Sequence, residues 1–157
     1  MTATPTRQQS FTTTLSLDQS PEEVFAAVTN PRGWWSENVE GATDNPGEEF
    51  TYRHHDVHRC TIRVSEQTSP TRVVWQVVEN YFKFTDDATE WKGTEIRFDI
   101  ARNGSKTELR FMHLGLVPAY ECFDVCSNSW DFYLHTSLRG LIRTGKGLPN
   151  PCECSTR

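Results

Sequence analysis

The chain has 157 residues, is 24% charged and carries a formal net charge of −5. That length suits one domain able to bury a core without a metal or a disulfide framework; the acidic balance argues against nucleic acid as a partner, and no run of about 18 apolar residues offers a membrane span. The opening MTATPTRQQS lacks the apolar core of a secretory signal, and five cysteines without framework spacing are expected to stay reduced, so a cytoplasmic location is expected.

Phe11 to Leu17 alternates apolar and hydroxyl residues and reads as a strand. Ser20-Pro21-Glu22-Glu23 is a capping box with proline at the first helical position, and the helix it opens carries Val24, Phe25 and Val28 inward before Asn30-Pro31 stops it. Asn30 is expected to cap a second short helix running through Trp34 and Trp35. From Val39 on, strand and turn signals alternate. Glu49 to His55 places Phe50, Tyr52 and His54 on one face, Asp56-Val57 turns the chain, and His58 to Ser65 places His58, Cys60, Ile62 and Val64 together. Arg72 to Val78 puts Val73, Trp75 and Val77 on one face; Tyr81 to Glu90 is the least regular piece and reads as a loop. Thr94 to Ala101 alternates Ile96, Phe98 and Ile100 against charged residues, Asn103-Gly104 is a hairpin turn, and Thr107 to Leu114 brings Leu109, Phe111 and His113 inward.

The last long stretch, Pro118 to Lys146, repeats apolar residues at Phe123, Cys126, Trp130, Leu134, Leu138 and Leu141, the spacing of a helix with one buried stripe. Pro118 suits its first turn, and Gly145, Gly147 and Pro149 end it. The expected fold class is therefore α+β: a curved antiparallel sheet of six to seven strands wrapped around a long C-terminal helix, with two short helices between the first two strands. Residues 9–147 form the domain, and 1–8 and 148–157 are expected to be flexible tails. A cylinder and a concave sheet do not match along their whole length, so a cavity is expected between them. Its sheet wall would offer Tyr52, His54, Trp75, Phe98, Phe111 and His113; its helix wall Phe123, Cys126, Trp130, Tyr133 and Ser137. The two short helices would close one end, with one of Trp34 and Trp35 capping the mouth and the other packing on the sheet, or both in the core.

The same residues carry a resemblance. Ser20-Pro21-Glu22-Glu23-Val24-Phe25 with Asn30-Pro31 and Trp34-Trp35, Lys92-Gly93-Thr94-Glu95-Ile96 with Phe98, Thr107-Glu108-Leu109 with Phe111, His113 and Gly115-Leu116, and the C-terminal series Cys122, Cys126, Trp130, Tyr133, Ser137-Leu138, Leu141, Thr144-Gly145-Lys146-Gly147 and Pro149 together resemble the START-like (SRPBCC, birch-pollen-allergen-like) superfamily. Within it they resemble the branch named after the activator of the heat-shock protein 90 ATPase, in its stand-alone bacterial form. The resemblance spans about Phe11 to Pro149 and implies the helix-grip fold. It does not fix an activity, since one fold hosts many functions.

Three functions follow as expectations. The first is a binding domain for a small, largely apolar or aromatic molecule held in the cavity, needing no cofactor. The second is a cyclase or dehydratase of polyketide type, with His54, His113 or Tyr133 as acid/base; the bland reading of the histidines is a neutral imidazole hydrogen-bonded inside the sheet. The third is a surface that stimulates a chaperone ATPase, although the second chaperone-contacting domain of the eukaryotic co-chaperone has no counterpart in this sequence. A homodimer through sheet edges is compatible with each. His54-His55-x-x-His58-x-Cys60 is rich in metal-ligand types, but strand alternation sends His54 and His55 to opposite faces, so no metal site is expected. Cys122 and Cys126 lie on one helix face and read as buried thiols, and Cys152-x-Cys154 as an oxidisable tail pair.

Overall fold

Alternating segments become strands where one side can be buried, and here seven of them pair into a single sheet. The computed structural model describes residues 10–55, 57–83, 85–86, 89–118 and 120–150. The strands are β1 (Phe11–Leu17), β2 (Glu40–Gly41), β3 (Glu49–His54), β4 (His58–Thr68), β5 (Arg72–Phe82), β6 (Glu95–Asn103) and β7 (Lys106–Leu114). Their order in the sheet is β1-β7-β6-β5-β4-β3-β2, with every neighbouring pair antiparallel. β3 to β7 are joined by successive hairpins, and β1 closes against β7 from Phe11↔His113 to Leu17↔Thr107. One face of β6 and β7 buries Ile96, Phe98, Ile100, Leu109, Phe111 and His113, while Arg63–Glu49 and Arg72–Asp99 pair on the opposite, wet face at 2.8 and 2.7 Å.

β5 departs from simple alternation. Thr61 faces Glu79 but Ile62 faces Val77, so Val78 is an extra residue without a partner, a β-bulge. Before the bulge Val73, Trp75 and Val77 point inward; after it the parity changes, and Asn80 and Phe82 are the buried residues. The strand continues to Phe82, so the first two residues of the expected loop Tyr81 to Glu90 belong to the sheet.

Between β1 and β2 lie α1 (Pro21–Val28) and α2 (Pro31–Trp34). The capping box forms in full: Glu23 N–H donates to Ser20 Oγ over 3.1 Å and Ser20 N–H to Glu23 Oε1 over 2.9 Å. α1 buries Val24, Ala27 and Val28 and leaves Phe25 half-buried. Asn30 stands at the start of α2 without making the expected side-chain cap.

The C-terminal helix runs without a break through α3 (Phe123–Asp131), a wide π-helical stretch (Phe132–Leu138) and α4 (Arg139–Thr144). It starts five residues later than the expected Pro118, and turns occupy the described residues between β7 and Cys122. The two backbone N–H groups that lead into it are met by a side chain from upstream: Glu90 accepts from Glu121 N at 2.8 Å and from Cys122 N, the N-cap residue, at 3.2 Å. A carboxylate there also complements the helix dipole. Cys126, Trp130, Leu134, Ser137 and Leu138 form the buried stripe, and Gly145 ends the helix in the left-handed conformation, φ 83°.

Residues 148–150, expected in a flexible tail, are held instead. Ser137 Oγ donates to Trp34 O and accepts from Leu148 N–H, both at 2.7 Å. Asn150 bridges to Ser36, donating to Trp35 O at 3.1 Å and accepting from Glu37 N–H at 2.8 Å. Gly147 makes the approach possible, since a Cβ on it would lie 2.3 Å from Gly33 O. The expected tail 1–8, Asp56 of the turn, and Cys152-x-Cys154 lie outside the described residues.

Candidate functional site

Between the far ends of β3, β4 and β5 and the first turns of the C-terminal helix lies a pocket of about 240 Å³. The sheet side contributes Tyr52 and His54 from β3, His58 from β4 and Phe82 from β5, with Val57 from the β3–β4 turn. The helix side contributes Val125, Cys126, Ser129, Trp130 and Tyr133; Trp35 and Trp91 close the ends. Val57 and Val125 are exposed at 37% and 55%, so they mark the mouth. No lysine, arginine, aspartate or glutamate stands among the described residues that line it.

Of the thirteen residues the sequence singled out, the structure brings six to this wall: Trp35, Tyr52, His54, Cys126, Trp130 and Tyr133. The others lie elsewhere. Trp34, Trp75 and Phe98 pack on one another, with Trp34 parallel to Trp75 at 6.4 Å and edge-on to Phe98 at 6.0 Å. Phe111 lies between Phe98 and Trp130, at 5.2 and 4.7 Å. Phe123 is half-buried beside the core at the start of the helix, and Ser137 holds the Trp34 carbonyl and the returning chain.

His113 lies behind the wall in a chain of hydrogen bonds. Trp130 Nε1 donates to its Nδ1 over 3.1 Å, its Nε2 lies 2.8 Å from Thr94 Oγ1, and Thr94 Oγ1 donates to Trp91 O over 2.6 Å. An indole N–H only donates, so Nδ1 is the acceptor and the imidazole proton sits on Nε2, donated to Thr94. Both nitrogens are used. Burial, and secondarily His58, lowers the pKa of His113 to about 3. It is a neutral brace that fixes Trp130 against Trp91, and those indoles stack 5.9 Å apart.

The residues that sequence reasoning left out of the site are Val57, His58, Phe82, Trp91, Val125 and Ser129. His58 was legible as an inward residue of its strand; Phe82 was hidden by the bulge. His58 Nε2 lies 2.9 Å from Asn80 Oδ1, an acceptor, which places the proton on Nε2 and leaves Nδ1 as an acceptor. Burial lowers its pKa to about 4 against the raising effect of Asn80. On the opposite side the Tyr52 and Tyr133 hydroxyls lie 3.5 Å apart, and Asn150 Nδ2 donates to them at 3.3 and 2.8 Å respectively. Burial, then Tyr133, pushes the Tyr52 hydroxyl above its ordinary range. The three described cysteines, Cys60, Cys122 and Cys126, are buried free thiols; burial raises Cys60, and a hydrogen bond with Cys126 followed by burial raises Cys122, so neither is a ready nucleophile. Among the described residues no group of three or more acidic, histidine or cysteine side chains converges to hold a metal. None of the described helices is long and apolar enough to cross a membrane.

The sequence model of the family described as "Activator of Hsp90 ATPase homolog 1-like protein" matches residues 18–143. No curated protein sequence matches the chain. Among solved structures, the fold is similar to the Aha1 dimer of Colwellia psychrerythraea, with 22% identity and a TM-score of 0.71 over 88% of this chain and 98% of that one. It is also similar to CalU16 of Micromonospora echinospora, at 17% identity and a TM-score of 0.63 over 86% of this chain and 76% of that one. DynU16, a protein in the dynemicin biosynthetic locus, shares 15% identity with a TM-score of 0.64 over 88% of this chain and 49% of that one. At these identities the likeness is one of fold: a helix-grip α+β domain with an antiparallel sheet around a long C-terminal helix.

Proposed function

The chain belongs to the activator of Hsp90 ATPase homolog 1-like family, and from that premise and the shape of its interior we propose that it is a binding domain for a small, largely apolar molecule. One observation carries the reading: a pocket of about 240 Å³, open at Val57 and Val125 and walled mostly by aromatic rings, lies where sheet and helix part. An engineered apolar cavity of about 150 Å³ admits benzene, so this one suits a molecule of one or two rings. Buried unpaired thiols fit a reducing, cytoplasmic setting.

The alternatives have less behind them. Cyclase-like acid/base chemistry would fall to His54 or Tyr133 at the wall, since His113 has both nitrogens engaged, and among the described lining residues no carboxylate stands to pair with either. Stimulation of a chaperone ATPase rests on the family description alone. Self-association is favoured by the relative described as a dimer.

Titration with indane, read by the fluorescence of the wall tryptophans Trp35, Trp91 and Trp130, tests the proposal. A saturable change is expected, and Ser129→Trp, which fills the mouth from the helix side, abolishes it. No saturation, or saturation undiminished in the variant, overturns the reading. Sedimentation of the same sample reads the expected dimer.

A further inference from the structure

The hydrogen bonds of the pocket wall narrow the ligand class. This inference rests on the binding reading above and adds a chemical requirement to it. Tyr52 and Tyr133 both line the pocket, and each hydroxyl carries one proton. Their neighbours are one another at 3.5 Å, Asn150 Nδ2 at 3.3 and 2.8 Å, and for Tyr52 the Trp35 side chain. An amide nitrogen and an indole N–H are donors and take no proton. One phenolic proton is used in the bond between the two hydroxyls, and the other meets no protein acceptor among the described residues.

A donor left without an acceptor at an otherwise aromatic wall is a costly arrangement unless something supplies the acceptor. Water can do so when the pocket is empty, and a ligand oxygen can do so when it is filled. The remaining described lining offers no formal positive charge from lysine or arginine to offset the desolvation of an anion. Nor do its described residues offer a carboxylate to hold a cation. We propose that the pocket selects an uncharged one- or two-ring aromatic molecule bearing a carbonyl or equivalent oxygen, received by the phenolic proton of the Tyr52–Tyr133 pair.

The experiment compares three probes of one size on the intact chain: indane, 1-indanone and indane-1-carboxylate at pH 7. 1-Indanone is expected to bind about fivefold more tightly than indane, the scale of one hydrogen bond, and the carboxylate not to bind. In the double variant Tyr52→Phe/Tyr133→Phe the ratio of 1-indanone to indane affinity falls to about one, with cooperative thermal unfolding as the check on folding. If indane saturates but 1-indanone binds no better to the native chain, the inference is overturned and the binding function stands. Should the double variant fail to fold, the native comparison alone decides. If the carboxylate binds as tightly as the ketone, the requirement for neutrality is overturned. If no probe binds, both readings fall together.

Discussion

The interior has two ends built from the same kinds of residue, one filled and one open. At the filled end Trp34, Trp75 and Phe98 pack face-to-face and edge-to-face under α1 and α2, and Trp34 also donates its indole N–H to Val28 O at 3.3 Å. At the open end Trp35, Tyr52, His58, Phe82 and Trp91 are just as buried, yet they surround about 240 Å³. Aromatic content therefore does not decide whether an interior is a core or a cavity. Backbone geometry decides it: α2 drives Trp34 into the sheet at one end, while the Val78 bulge turns Phe82 inward, and the wide stretch of the helix begins beside Trp130 at the other. Bulges and π-helical turns commonly sit where a site is shaped.

The largest expected effect is at the filled end. Trp34→Ala should lower stability by about 3–5 kcal/mol in urea unfolding, because the vacated volume is walled by rigid rings and a helix that cannot collapse on it. A loss below about 1 kcal/mol would show that this end is no better packed than the other.

The next effect is pH dependence, and it belongs to the open end. His113 and His58 have folded-state pKa values lowered to about 3 and about 4 from an ordinary 6.5. The unfolded chain then binds more protons than the folded one below about pH 6.5, so stability is complete above that pH and falls as pH drops. Each histidine contributes a slope approaching about 1.4 kcal/mol per pH unit, over pH 6.5 to 4 for His58 and further down for His113. Urea midpoints across that range should show the fall, and His58→Gln should roughly halve its slope; a flat profile above pH 4 would mean that the two imidazoles are accessible to protons in the folded state.

The smallest effect on stability is at the mouth. Val125→Ser removes methyl groups from a side chain that is already 55% exposed, so unfolding should move by no more than about 0.5 kcal/mol. Indane affinity should drop, because one lip of the pocket becomes polar. The reverse result, a large stability loss with binding intact, would place Val125 in the core rather than at the opening.

Much of the architecture was legible because it rests on periodicity. The alternation in Ile96-Phe98-Ile100 and Leu109-Phe111-His113 and the capping box at Ser20 act within a few residues, and each formed as the spacing requires. What was not legible depends on partners distant in sequence. Nothing local to Val78 announces the bulge; it comes from the pairing with β4, and in the sequence alone the strand ends at Val78 and Phe82 falls in a loop. The helix start is set by Glu90, some thirty residues upstream, rather than by Pro118. His113 looked like a pocket imidazole because its strand parity points inward; the claims of Trp130 and Thr94 on its two nitrogens are visible only in three dimensions.

The return of residues 147–150 along α2 gives the chain end a second meaning. Asn150 is hydrogen-bonded through its backbone to Trp35 and Glu37 and through its side chain to the two phenols at the pocket wall. A guest that takes the spare phenolic proton would bond the same pair of hydroxyls that Asn150 holds. The segment Leu148 to Asn150 is therefore a handle on the interior: a label on the exposed Leu148 would sit at the outer end of a lever whose inner end is the pocket wall.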